Sequence, residues 1–253
     1  MKTKCTVTIT VLLLLVTLLK GQDSSNTKTS WPAKEKKKFY KTELFKATIV
    51  PAVLIAWGLS TIHGHGLYSS YDVYHDIQNL HFKGTHLDNY MQYSPYAELI
   101  GLNLVNIRCK NDFVNMALLI AKSELVMNAA LWTLKFTTHE VRPDSINPGR
   151  TESFPSGHTA NAFLAASLVH KEFKHKSIWY GVGAYALATT VGMLRMLNNR
   201  HWESDVFVGA GLGILSVHLV YHTHKYRWGK NCNVQLSPSY NKGSIGFCLI
   251  KKF

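Results

Sequence analysis

The chain has 253 residues, 46% of them apolar and 11% aromatic, enough for one domain with a sizeable core and too apolar for a disordered polymer. Lys and Arg number 28 against 15 Asp and Glu, a formal charge of +13, which favours an anionic partner: nucleic acid, an anionic membrane surface or a phosphorylated substrate. Four irregularly spaced cysteines exclude a disulfide-dense mini-scaffold and offer no C-x-x-C zinc pair.

The chain opens with Lys2 and Lys4, then an apolar stretch from Val7 to Leu19 broken only by Thr, then Gly21-Gln22 and a polar run. This order is that of a secretory signal peptide or an uncleaved N-terminal anchor (residues 1–21), although no A-x-A cleavage site is visible. Residues 22–41 form a polar, basic linker containing Lys34-Glu35-Lys36-Lys37-Lys38, a run that is commonly just solvated but also suits anionic headgroups. Ala47 to Ile62 is sixteen residues without a charge, with Pro51 near its start, where a helix tolerates proline best. His63 to Tyr93 is polar and rich in His and Tyr, which predicts loops and short helices.

Phe113–Leu134, Thr159–Val169, Ser177–Leu194 and Val206–Tyr221 are further apolar runs at helical spacing, the first interrupted by Lys122 and Glu124. No alternating strand pattern interrupts them. The expected fold class is all-α, a bundle of about five or six core helices over residues 42–228. The uncharged runs fall short of the ~20 residues of a spanning helix, but polar ends are tolerated, so membrane association is expected. In the tail, residues 229–253, Val234–Tyr240 and Ser244–Ile250 flank Asn241-Lys242-Gly243 and predict a hairpin. Cys232 and Cys248 could bridge across it after export, or stay as free thiols.

Three segments carry the candidate chemistry: Lys135 to Arg142-Pro143, spaced K-x6-R-P; Pro155-Ser156-Gly157-His158; and Arg195 to His201 and Asp205, spaced R-x5-H-x3-D. A phosphoryl group must have its dispersed negative charge held as it transfers. Lys135 and Arg142 are seven apart, the spacing of one helix face. Arg195 adds a guanidinium whose fork fits two phosphate oxygens. Ser156 and Gly157 open a helix, whose N–H groups and dipole attract an anion. His201 and Asp205 are four apart, so the carboxylate can bond one ring nitrogen and leave the other facing phosphorus. Taken singly, each is ordinary: such His-Asp pairs are usually surface hydrogen bonds, and such cations are usually solvated.

Together, in this order, the segments closely resemble the signature of the type 2 phosphatidic acid phosphatase superfamily, across residues 135–209 in motif and about 45–225 in helical surroundings. One position departs: the family usually has Ser before the third-motif Arg, where this chain has Leu194. The resemblance implies a metal-independent phosphatase, with His201 as nucleophile forming a phosphohistidine. His158 is then the acid and base at the leaving and attacking oxygens, and Asp205 orients His201. Lys135, Arg142, Ser156, Gly157 and Arg195 hold the phosphate, and no cofactor or metal is required. Relatives act on phosphatidic acid, phosphatidylglycerophosphate, undecaprenyl diphosphate and lipid A phosphates, and the segment around Asn198-Asn199-Arg200 is similar to bacterial exported members. A lipid phosphate in the cell envelope is the expected substrate, with the site on the periplasmic side of the inner membrane.

Other readings stay open. A secreted acid phosphatase on soluble phosphomonoesters would fit the signal-like start, placing a soluble protein in the periplasm. A vanadium haloperoxidase would share the anion site, and an envelope protein with a dead site is the non-enzymatic alternative. His63-Gly64-His65 is a weak metal candidate without a carboxylate at useful spacing. His139, His170 and Arg200 have no assigned role, and the tyrosines between Tyr68 and Tyr96 are either packing or an interfacial belt. The charge is scattered rather than striped, and no nucleic-acid module is present.

Overall fold

A computed structural model describes residues 43–66, 68–143, 152–225, 233–241 and 244–252. The N-terminal segment, the linker and Cys232 lie outside the described residues. Among the described residues, five long helices make the bundle: α1 (Glu43–Thr61), α5 (Phe113–Thr138), α6 (Gly157–Phe173), α7 (Ile178–Leu197) and α8 (Glu203–Thr223). Three shorter ones, α2 (Ser70–Gln78), α3 (Leu87–Met91) and α4 (Ser94–Leu104), fill the polar stretch between α1 and α5. The all-α bundle expected from the apolar periodicity is what the chain forms. Beyond it, β1 (Asn233–Asn241) and β2 (Ser244–Lys252) pair antiparallel, with Asn241 opposite Ser244.

Helix starts follow local side-chain chemistry. Ser69, Asp112, Ser156 and Ser177 each accept a hydrogen bond from a first-turn N–H of the helix that follows, satisfying donors that have no partner within the helix. One expectation shifts. Helix α1 begins at Glu43, earlier than the uncharged run, so Pro51 falls inside the helix rather than in its first turn. Charged Glu43 and Lys46 are good helix formers and extend the helix outward.

Helix α8 is the central element, packed against α1, α5 and α6, while α7 covers the other side of α6. Glycines set how closely these backbones approach. A methyl on Gly209 would sit 2.6 Å from the Ser156 carbonyl, and one on Gly213 2.3 Å from the Ala160 carbonyl, so α6 and α8 meet backbone to backbone. Leu164, Leu168, Val191, Val208, Val217 and Phe154 are buried in one core cluster with this seam. Burial of a side chain such as Phe154 stabilises by about 2–3 kcal/mol.

The outside of the bundle is apolar where a soluble protein would be polar. Helices α1, α5 and α8 are long and apolar enough to cross a membrane, and only 17% of the α1 window is buried within the protein. Val50, Val53 and Trp57 on α1, Leu125, Trp132 and Phe136 on α5, and Trp179 on α7 are all exposed. An apolar belt of this extent marks a membrane or partner surface.

Candidate active site

At the α6 N-terminus the helices and loops enclose a cavity of about 640 Å³. One wall is the segment Gly84 to Asn89, leading into α3. The others come from Trp132 and Lys135 of α5, Arg142 and Glu152, Gly157 and His158 at the start of α6, Arg195 and Asn198 of α7, and Arg200 and His201. Four of the five candidate phosphate holders and both histidines thus meet in one place.

The routes by which they meet differ from the expected ones. Lys135 and Arg142 do not share a helix face, because α5 ends at Thr138 and His139 takes a left-handed conformation (φ 52°) as its C-cap. The chain turns there, and Arg142 reaches the cavity from the loop beyond. This gives His139, unassigned from sequence, a conformational role; Asn and His are among the non-glycine residues that adopt such a φ. Lys135 Nζ donates to the Glu152 carbonyl at 2.7 Å, joining α5 to the segment that carries the second motif. His201 likewise lies before α8, not on it, and its Nδ1 is 3.2 Å from Asp205 Oδ2 across the helix start.

Asp205 is wholly buried in the first turn of α8. Its Oδ2 accepts the Trp202 N–H at 3.0 Å and the Ser153 hydroxyl, and Ser153 Oγ also approaches His201 Nδ1 at 3.5 Å. The Ser156 N–H donates to the Asp205 carbonyl at 3.0 Å, a contact permitted by the Gly209 approach below it. With Nδ1–H directed at the carboxylate, a neutral His201 keeps its lone pair on Nε2. Burial first, then the charges of Arg195, Arg142 and Lys135, holds His201 well below the usual histidine range, so it is neutral at pH 7.

His158 is the second residue of α6, and its pKa is drawn down from 6.5 to about 4 by burial first and then by Arg195 and His201. A phosphate in the same cavity would oppose those charges and raise it again. Gly157 has open space where a Cβ would stand, with nothing within 4 Å. Ser156 stands apart from the cavity: it is buried, and its hydroxyl pairs with Thr159 Oγ1 at 2.9 Å as the N-cap of α6. Its placement makes it a helix cap, whereas the sequence reading has it touching phosphate.

Sequence reasoning missed several neighbours. Asp88 pairs with Arg195, Ser153 holds Asp205, and Asn198 Oδ1 accepts the Thr85 N–H at 2.9 Å. Behind the site, Glu203 accepts from Trp57 Nε1 at 2.8 Å and Thr61 Oγ1 at 3.0 Å, fastening α1 to α8. Only Ser153 had a usable signal, its place three residues before Ser156. Among the described residues, no group of three or more His, Cys, Asp or Glu is placed to hold a metal ion.

The model of the PAP2 superfamily matches residues 112–229, which contain all three motifs. Phosphatidylglycerophosphatase B of Bacillus subtilis (strain 168) is 33% identical over 146 residues, 54% of this chain and 70% of that protein. The chain belongs to the PAP2 superfamily. Lipid A 1-phosphatase of Porphyromonas gingivalis is 34% identical to this PAP2 chain over 158 residues, 60% of it, but the match spans only 35% of that longer relative. Among solved structures, Aquifex aeolicus LpxE is similar with a TM-score of 0.48 at 21% identity, covering 64% of this chain and 99% of that one. A transmembrane PAP2-type phosphatidylglycerolphosphate phosphatase from Bacillus subtilis gives 0.45 at 21% identity, covering 70% and 99%.

Proposed function

We propose that this PAP2 chain is a phosphatase that hydrolyses a lipid phosphate monoester or diphosphate without a metal, through a phosphohistidine on His201. The observation that carries the reading is the cavity itself: the histidine of a buried His–Asp pair, a second histidine and four cations, Lys135, Arg142, Arg195 and Arg200, face one space beside exposed aromatics of an apolar helix. Trp132 lines the cavity, stacks on Phe136 at 5.7 Å, and is 55% exposed on α5. A lipid can place its headgroup inside and leave its chains along that face. The named relatives act on lipid A and on phosphatidylglycerophosphate, and the substrate is drawn from that class together with phosphatidic acid and undecaprenyl diphosphate.

In the proposed mechanism, Lys135, Arg142, Arg195 and the N–H groups around Gly157 hold the nonbridging oxygens. His201 Nε2 attacks phosphorus, a P–N bond forms, and the P–O bond to the lipid breaks. His158, protonated once the phosphate dianion is bound, gives its proton to the leaving oxygen. Asp205 stabilises the positive charge on the His201 ring. Water then attacks phosphorus, His158 takes its proton, the P–N bond breaks, and inorganic phosphate leaves. Residues 42–228 form the catalytic domain in this reading, and the chain is exported, with α1, α5 and α8 crossing the inner membrane and the cavity on its periplasmic side.

Phosphate release in EDTA by the detergent-purified protein tests this, comparing a panel of lipid phosphates with a soluble phosphomonoester. Preference for lipids, lost in His201→Ala, is the expected result. Preference for the soluble ester would move the protein to the secreted acid phosphatase reading, and an active mutant would remove the mechanism.

A further inference from the structure

Arg195 does not enter the cavity as a loose side chain. Its Nη1 donates to Asp88 Oδ2 at 2.6 Å and lies 3.4 Å from Asn89 Oδ1. Both partners of the ion pair are buried, with side chains 7% and 2% exposed. The Nε of the same guanidinium is buried and has no hydrogen-bond partner. A guanidinium is planar and its donors lie on fixed edges, so anchoring Nη1 also fixes where the Nε edge points. The anchor is itself braced, since the Thr85 N–H bonds Asn198 Oδ1 at the C-cap of α7, joining the chain just before α3 to the end of the helix that carries Arg195.

We propose that Asp88 is a positioning residue of the phosphate site: it grips one edge of Arg195 so that the Nε edge is presented to the phosphoryl group. Its kinetic consequences rest on the phosphatase reading above, and its effect on phosphate binding does not. A second consequence follows from charge. Beside burial, the charges that act most on His158 are Arg195 of α7, His201 of the loop before α8, Asp88 of α3, which alone of these favours protonation, and Arg142 of the loop after α5, while Lys135, Glu152 and Arg200 line the same cavity. Removing the Asp88 charge leaves Arg195 uncompensated and makes His158 harder to protonate.

The test uses the full chain in detergent, with Asp88→Ala and Asp88→Asn beside the wild type. Inorganic phosphate binding is measured by calorimetry, and kcat and KM on a lipid phosphate are measured from pH 5 to 8. Asp88→Ala, with the grip gone, is expected to bind phosphate about tenfold more weakly and to lose about 100-fold in kcat. The amide oxygen of Asp88→Asn still accepts from Nη1, so its phosphate affinity stays within about threefold of wild type. The alkaline limb of its kcat profile moves to lower pH by about half a unit.

Phosphate affinity unchanged or tighter in Asp88→Ala would overturn the proposal, because Asp88 would then be idle or a competitor for Arg195. Equal losses in the Ala and Asn variants would overturn it too. If Asp88→Ala does not fold, the pH limb of Asp88→Asn decides, and an unmoved limb is the contrary result. A wild-type protein that binds phosphate but hydrolyses no ester removes the phosphatase reading, and the calorimetric comparison still decides the role of Asp88.

Discussion

The two ends of α6 both stand beside a fully buried carboxylate, and they treat it in opposite ways. At the C-terminal end, Glu172 has both oxygens occupied: Oε2 accepts the Asn111 N–H at 2.9 Å, and Oε1 accepts Asn111 Nδ2 at 2.6 Å and the Tyr221 hydroxyl. At the N-terminal end, Asp205 gathers its contacts on Oδ2, and its Oδ1 is buried without a hydrogen bond, as is Arg195 Nε nearby. An unsatisfied buried polar group costs about 1–3 kcal/mol, so each of these two atoms is a local cost to the fold. Glu172 lies outside the cavity and serves stability, whereas Asp205 backs His201 and Arg195 lines the cavity, where a phosphate oxygen can accept from the guanidinium.

Mutation at each end separates the two roles. His201→Ala is expected to lower phosphate release at least about 10⁴-fold, with a melting temperature close to wild type. Glu172→Ala is expected to do the reverse, costing about 2–4 kcal/mol in chemical denaturation while the folded fraction keeps its kcat. Loss of catalysis in Glu172→Ala at full stability would erase the contrast. A finer probe is Ser153→Ala, which takes one donor from Asp205 and should lower kcat about tenfold, with KM little changed.

The smallest effect is a pH dependence. The folded His158 binds its proton only near pH 4, while the unfolded chain binds it near 6.5. Stability therefore falls as pH drops between those values, because the unfolded state takes up a proton that the folded state does not. Thermal melts of wild type and His158→Ala from pH 7.5 to 4.5 should converge or cross toward acid, with wild type losing more. Parallel curves would mean that His158 is not held neutral.

What could be read from the sequence was local. Apolar periodicity identified the long helices, and the His-x3-Asp and Pro-Ser-Gly-His spacings located the site, because each spans a turn or two of chain. The missing parts depend on contacts between distant segments. Asp88 lies 107 positions from Arg195 and sits in a polar stretch with no periodic signal, so nothing local marks it. The Lys135–Arg142 spacing fits a helix face, but a left-handed His139 ends α5 first, and tertiary context rather than spacing brings the two cations together. Helix α5 was legible as one apolar run at helical spacing from Phe113 to Leu134, but the partners of the Lys122 and Glu124 that interrupt it, His224 and Tyr96, lie on other elements and were not. Ser156 was legible as a helix start but not as a side chain turned inward to cap it.

The most direct test of the account is to trap the covalent intermediate. Wild-type protein would be mixed with a lipid phosphate labelled on phosphorus, quenched in alkali, where a phosphohistidine survives, and digested for mapping. Label on the peptide containing His201, released by acid and absent from His201→Ala, is the predicted result. Active turnover with no label at His201, or with label on another residue, would contradict the mechanism at its centre.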